Sequence, residues 1–553
     1  MRTLLALVPL ALAASTAAAQ TLGPAEIRRI DSVFAPLDGT GRPGCAVGVS
    51  RNGVPVYTRG FGMSDLQHGV PITPQSIFHV ASVSKQFAAF AVALLAEDGK
   101  LSLDDEVRRW VPELPDYGTR ITIRHLIYHT SGIRDQWELL SMAGWRYPDD
   151  LFTQDDVLDI VSRQKELNFP PGSEWVYSNS GYTLLAIIAK RVSGKSLREF
   201  SQERIFGPLG MTRTHVHDDH AEVVPGRTSA YEMGPRGWKV STPTFDTHGA
   251  TSLFTTVEDL LKWQQNFVSG TVGSRALLTE AETSAKLTNG KPANYGFGIS
   301  TEVYRGAKAF GHGGADAGYR ADVVRFPEHG LAVSVACNFA DALPGQYARS
   351  VADVLLEGRL EPKPAAPTVA KAGPASVSAA RLAQIAGVYK SPTNDQAFAF
   401  AVRDGKLVLT NYGFPLEPVD DTHFSVFGIT AEFTGPATAT PTGIRLVAGS
   451  MVVDSMARIN AAAPTRDQLA LLAGDYWSPE LRVSYRVELT DAGLVLHRFK
   501  HPKVGLQPAY QDAFLGGEAG TVRFVRTKGR VTGFRLTGGR VRNVEFTRAV
   551  NRP

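Results

Sequence analysis

Cysteine is nearly missing from this chain: 553 residues contain two, Cys45 and Cys337. That is too few for a disulfide framework, and each lies in an apolar, strand-like stretch where a thiol behaves as a small hydrophobe. Export would permit a bond between them, but two buried thiols are the simpler expectation, and neither is read as a nucleophile. Long apolar runs are missing beyond the N-terminus, which argues against a membrane-spanning segment in the mature chain. Blocks of one charge sign are missing as well. Fifty-eight Lys and Arg against 54 Asp and Glu leave a net charge of +4 with the signs interspersed, so nucleic acid is not expected as a partner. Apolar residues are not scarce: 43% hydrophobic against 20% charged excludes wholesale disorder. The length suggests about three domains.

What is present begins with Met1-Arg2-Thr3, an apolar stretch from Leu4 to Ala14, and Ala17-Ala18-Ala19. A positive start, a short apolar core and an Ala-x-Ala end predict a signal peptide over residues 1–19, hence a periplasmic or secreted protein. No cysteine follows the cleavage site, so no lipid anchor is expected. Gly44–Ser50, Arg51-Asn52-Gly53 and Val54–Tyr57 read as strand, turn and strand. Strand patterns return at Lys308–Phe310, Arg320–Phe326 and Gly330–Phe339. Between them lie helical patterns, among them Tyr182–Val192 and Thr256–Phe267, the latter opened by Thr256 as a cap. Strands at both ends of a helical region predict one α/β domain over residues 20–360 whose sheet joins the two ends.

The stretch Phe78–Ala96 is apolar all round from Phe87 to Ala96, the pattern of a helix buried within a domain. At its start Ser82 and Lys85 stand three residues apart, which places hydroxyl and amine on one helix face. A desolvated lysine has a lowered pKa and could accept the serine proton. A second such pair, Ser162 and Lys165, sits in a polar segment and is read as chance. Ser82 therefore needs partners, and two elements supply them. Tyr177 and Asn179 follow Pro170-Pro171-Gly172 just before a helix; two apart in an extended loop, they point the same way. A tyrosine there can shuttle a proton and an asparagine can bridge the lysine and a substrate amide. Taken alone, Tyr177 is a loop anchor and Asn179 a helix cap. The third element, Phe310-Gly-His-Gly-Gly-Ala-Asp-Ala-Gly-Tyr319, ends a strand with glycines that let a substrate backbone lie along its edge, beside His312. A competing cluster, His215, His217 and His220, has loosely metal-like spacing, but a solvated polar loop is the better reading and no metal is expected.

Residues 361–379 shift to Pro, Ala, Lys and Ser and read as a linker. Beyond it the chain repeats. Leu382-Ala-Gln-Ile-Ala-Gly-Val-Tyr-Lys-Ser-Pro392 is echoed by Leu469-Ala-Leu-Leu-Ala-Gly-Asp-Tyr-Trp-Ser-Pro479 at an offset of 87 residues. Short alternating strands between Gly turns predict two small antiparallel β-barrels or sandwiches, over residues 380–463 and 464–553.

The three elements, in this order, resemble the penicillin-recognising serine hydrolases: D,D-carboxypeptidases, class C β-lactamases, related esterases and D-aminopeptidases. The matching residues are Ser82-x-x-Lys85, Tyr177-x-Asn179 and His312-x-Gly314, flanked by His129-Thr-Ser-Gly-Ile133 and Ile205-Phe-Gly-Pro-Leu-Gly-Met211, and the likeness covers roughly residues 25–358. It implies a β-lactamase/transpeptidase-like α/β domain, and the two following barrels, lipocalin-like, look most like the D-aminopeptidases. It also implies acyl transfer in which Ser82 is the nucleophile, with Lys85 and Tyr177 sharing the proton. Backbone N–H groups of Ser82 and Ala315 would hold the oxyanion, and Asn179, His312, Gly313 and Gly314 the substrate, a small peptide, amide or ester. No cofactor is implied. Where the β-lactamases and carboxypeptidases usually carry Lys-Thr-Gly, this chain has His312, which holds a carboxylate less firmly. That disfavours penicillin and suits the D-aminopeptidase and esterase branches. In the D-aminopeptidases a loop of the last barrel reaches the active site; Phe514–Gly520 is the candidate here. Outside this chemistry stands an inactive homologue that binds peptides or cell-wall fragments.

Overall fold

Two strands with almost no polar face, Cys45–Arg51 and Leu331–Cys337, are buried on both sides and lie next to each other. Sequences of this kind belong in the middle of a covered sheet. A computed structural model describes residues 21–147, 149–363, 377–426, 429–448 and 451–549, so the expected signal peptide and most of the expected linker lie outside the described residues. The sheet has six antiparallel strands in the order Ser300–Tyr304, Ala307–Asp316, Tyr319–Phe326, Leu331–Cys337, Cys45–Arg51, Val54–Phe61. Its N-terminal hairpin thus docks on strands from the far end of the domain. Alternation divides the side chains: Val47, Val324 and Val335 face the helices Pro24–Phe34 and Pro344–Leu355, with Ile30, Phe34 and Val351. Ala46, Val323 and Ala336 face the helical region, where Lys85–Glu97, Asn179–Ser193 and Val257–Ser269 share a core with Phe87, Leu185 and Trp263.

The expectation of two separate thiols fails. Cys45 and Cys337 stand opposite each other on adjacent strands, their Cα atoms 4.0 Å apart, and form a disulfide. Composition cannot show which residues face each other across a sheet when 292 positions separate them.

The two C-terminal modules are antiparallel β structures. The first is a nine-stranded sheet whose edge strands, Phe414–Pro415 and Glu417–Pro418, are separated in sequence by Leu416 alone, so it is nearly closed. The second is a closed eight-stranded barrel over Gly474–Arg548. Their sequence repeat has a structural counterpart. Tyr389 donates to Ile385 O at 2.7 Å, and Tyr476, at the same offset, donates to Leu472 O at 2.7 Å. Beneath each ring an arginine ties off the same turn, Arg458 on Ala386 O and Arg548 on Ala473 O.

The closed barrel docks on the helical region. Arg134 and Glu480 form an ion pair with both side chains fully buried, and Arg134 also donates to Asn543 O at 3.1 Å. Tyr485 donates to Met142 O at 2.7 Å, and Arg542 pairs with Glu174 at 3.0 Å. The first module leans on the barrel through Val388, Ala399, Ala509 and Leu515, and through Asp395, which accepts from Tyr510 and Arg523.

Candidate active site

Ser82 does not lie on the buried helix itself. Ala81–Ser84 form a 3-10 turn, and the α-helix begins at Lys85. In a 3-10 turn positions i and i+3 eclipse, which aligns the two side chains even better than an α-helix would. Lys85 Nζ is 3.1 Å from Ser82 Oγ. The turn is reached from the strand Phe78–His79 through Ala81, whose φ of +47° is a left-handed conformation costly for alanine. Ser84 secures this bend: its hydroxyl donates to Ala81 O and accepts from Leu253 N at 2.9 Å. Sequence reasoning gave Ser84 no part.

Lys85 is completely buried and donates to Asn179 Oδ1 at 2.8 Å and Ala250 O at 2.6 Å. A neutral amine has two hydrogens and one lone pair; with both hydrogens so engaged, the lone pair is left for the Ser82 hydroxyl. Burial pushes the Lys85 ammonium well below its ordinary range; Asp135 pulls it back and Arg540 pushes it further down. Tyr177 spreads its ring under the amine, 4.7 Å from Nζ. Burial raises the Tyr177 phenol well above its usual value, against the lowering effect of a hydrogen bond to Ser82 and of Arg540. Asn179 opens its helix and is held rigidly, its backbone and side-chain N–H both donating to Asp135 Oδ2, at 2.6 and 2.8 Å. Its amide can therefore present only oxygen to Lys85.

The strand Ala307–Asp316 passes beside the turn. It pairs with Ser300–Tyr304 only up to Gly311, so residues 312–316 form an open edge toward the cleft. Gly313 and Ala315 are exposed there. Gly314 is buried, and a Cβ on it would come 2.2 Å from Val80 O, so its task is to let the strand touch the Ala81–Ser84 turn. His312 is buried, its ring 6.2 Å from that of Tyr177: Tyr295 OH lies 2.8 Å from its Nε2, and burial, then the Lys85 charge, lowers its pKa to about 4. It is a neutral ring beneath the site. Asp316 takes contacts from His79, Thr251 and Tyr147 at the cleft wall.

The cleft has a volume of about 830 Å³ and is walled by all three modules. The N-terminal α/β domain gives Ser82, Tyr177, Asn179, Ala315 and Glu138, the first C-terminal module Tyr412, and the barrel Glu518, Ala519 and Arg540. The stretch Phe514–Gly520 thus reaches the cleft, but the barrel's closer approach is the Gly538–Arg540 turn. Arg540 pairs with Glu138 at 2.9 Å and Asp135 at 3.4 Å, and its guanidinium lies 5.6 Å from the Tyr177 ring. Asp135 and Arg540 were not foreseen; the only signal was Asp135 as a cap before Gln136–Met142. The expected solvated loop is not what forms: His215 stands on the short strand His215–Val216, His217 is buried and only His220 is exposed, and the three histidines do not converge. His215 and His217 gather at Glu222, which is already paired in bidentate fashion with Arg198, while His220 pairs with Asp246.

Residues 30–356 match the family model described as Beta-lactamase. Penicillin-binding protein 4* of Bacillus subtilis is 30% identical over 292 residues, 50% of this chain and 63% of that protein. A D-aminopeptidase of Brucella canis is 29% identical over 333 residues, 60% of this chain and 62% of that protein. The chain therefore matches somewhat under two thirds of the length of these relatives. Among solved structures, the octameric penicillin-binding protein homologue from Pyrococcus abyssi superposes over 78% of this chain and 99% of its own, with a TM-score of 0.55 at 24% identity. The D-amino acid amidase of Ochrobactrum anthropi SV3 superposes over 61% and 99%, with a TM-score of 0.53 at 23% identity. These two show the shared fold. By the span of the family match, the chain belongs to the beta-lactamase family.

Proposed function

We propose that this protein is an exported serine hydrolase that forms an acyl-enzyme on Ser82 and acts on peptides or amides of D-amino acids. The observation that carries the hydrolase reading is Lys85: buried, with its hydrogens given to Asn179 and Ala250, it faces Ser82 as a base. Ser82 Oγ attacks the scissile carbonyl as its proton passes to Lys85. Backbone N–H groups of Ser82 and Ala315, both at the cleft, receive the oxyanion. The proton then goes to the leaving amine by way of Lys85 and the protonated Tyr177. Water repeats the sequence on the ester and frees Ser82.

The substrate class rests on charge and kinship. Glu518, exposed at the cleft and without an ion pair among the described residues, suits the free ammonium of an amino-acid substrate. The D-aminopeptidases among the relatives support the same class. His312, buried and neutral, gives a β-lactam carboxylate no cation. Export is supported by the disulfide, which suits an oxidising compartment.

The test compares kcat/KM on D-alanyl p-nitroanilide and p-nitrophenyl butyrate, with Ser82→Ala as blank. Anilide turnover lost in the blank is the expected result. Ester turnover alone would move the protein to the esterases, and silence on both would favour a binding protein.

A further inference from the structure

Asp135 is fully buried at the end of a chain of contacts that runs from the barrel to the nucleophile. Arg540 lies on the turn between Arg530–Gly538 and Val541–Arg548. Its guanidinium bonds Glu138 Oε1 at 2.9 Å and Oε2 at 3.3 Å, and reaches Asp135 Oδ1 at 3.4 Å. The other oxygen of Asp135 takes both N–H groups of Asn179, whose Oδ1 holds Lys85. Burial, then Asp135, raises Glu138 to about 8, so near neutral pH the negative charge of this pair lies on Asp135, and without the Arg540 cation that charge would draw a proton onto Lys85.

We propose that Arg540, delivered by the C-terminal barrel, is a positioning residue for acylation: it pins Asp135 on Asn179 and so holds Lys85 against Ser82. The inference rests on the serine-hydrolase reading above. It gives the barrel a part in the chemistry itself, in addition to walling the cleft.

The groups that face Lys85 allow a pH prediction. Ser82 comes from the 3-10 turn that precedes it, and Tyr177 and Tyr182 from the neighbouring loop and helix. Those two phenols are raised, chiefly by burial, and His129 and His312 are held neutral, chiefly by burial. The charges are Asp135 and Asp316, which raise the lysine's pKa, and Arg540, which lowers it. Loss of Arg540 therefore strengthens the hold of Lys85 on its proton. At a pH well below the lysine's midpoint, a tenfold tighter hold leaves about tenfold less neutral amine.

The test measures the rate at which a fluorophosphonate phosphonylates Ser82, with loss of fluoride, from pH 5 to 10 by intact mass. Wild type, Arg540→Lys, Arg540→Met and Ser82→Ala are compared. Arg540→Met is expected to lose rate on the acid side of the profile, by up to about tenfold where the lysine is mostly protonated, and to recover as pH rises, its acid limb displaced upward. Arg540→Lys, which keeps the cation, should recover most of the rate. Glu138→Gln/Arg540→Met removes the leftover acid pair and serves if the single variant does not fold; the same displaced limb is expected. An unshifted limb in the Met variants, or a pH-independent loss that lysine does not restore, overturns the inference while wild-type labelling at Ser82 leaves the hydrolase reading intact. Wild type that no more reacts than Ser82→Ala overturns both.

Discussion

At the scale of the residue, the site depends on groups whose environment decides their charge or their size. Gly313 and Gly314 look equivalent in sequence but stand on opposite sides of the strand. Gly314→Ala puts a methyl 2.2 Å from Val80 O and displaces the turn that carries Ser82; on the proposed reading kcat should fall at least about a hundredfold, as expected when reacting groups are misplaced by an ångström. Gly313→Ala meets no atom closer than 3.8 Å and should retain kcat, any loss appearing in KM. Equal kcat values for the two variants would contradict this division. His312 makes a second prediction. It takes a proton only near pH 4 when folded but near 6.5 when unfolded, so the unfolded chain binds more protons between those values. Stability present above pH 6.5 is lost as pH falls toward 4, and buried His129 acts in the same direction. Tm measured from pH 7.5 to about 4.5 should decline less steeply in His312→Gln than in wild type. Ser82, Lys85, Tyr177 and Asn179 were legible in the sequence because their spacing is local and their chemistry is rare in combination. Asp135 was not, since a buried aspartate before a helix reads as an ordinary cap until Asn179 is seen beside it.

At the scale of the element, the decisive feature is the tight turn that joins Phe78–His79 to the helix Lys85–Glu97. The all-round apolar run was readable as a buried helix, and every residue from Lys85 to Leu95 is buried. The 3-10 character of Ala81–Ser84 was not readable, because it depends on Leu253 and Gly314 from distant strands. Ser84→Ala removes the acceptor of Leu253 N within the core, a loss of about 1–3 kcal/mol. It should also slow Ser82 acylation, because Ala81 is then no longer held in its left-handed conformation. Chemical denaturation and fluorophosphonate labelling of the same variant separate the two effects, and unchanged labelling would mean that the turn holds its shape without the clamp.

At the scale of the whole molecule, the sequence repeat announced two related β modules, and the matching Tyr389 and Tyr476 turns show that the likeness extends to hydrogen bonding. It said nothing of how they sit, since docking depends on single charged residues far apart in sequence. Arg134 and Glu480 are the buried example. Glu480→Ala leaves Arg134 unpaired in the interface and should cost about 3–5 kcal/mol, seen as a lowered Tm or as release of the barrel to proteolysis. A Tm within a degree of wild type with an intact barrel would contradict this. On the proposed reading, all three modules serve one event: Ser82, activated by a neutral Lys85, takes up the acyl group of a D-amino-acid substrate. Quenched-flow intact mass during turnover of D-alanyl p-nitroanilide, by wild type and Ser82→Ala, observes that event itself. The expected result is a D-alanyl adduct on the peptide containing Ser82, and neither adduct nor turnover in the variant. Anilide hydrolysis that continues undiminished in Ser82→Ala would contradict it.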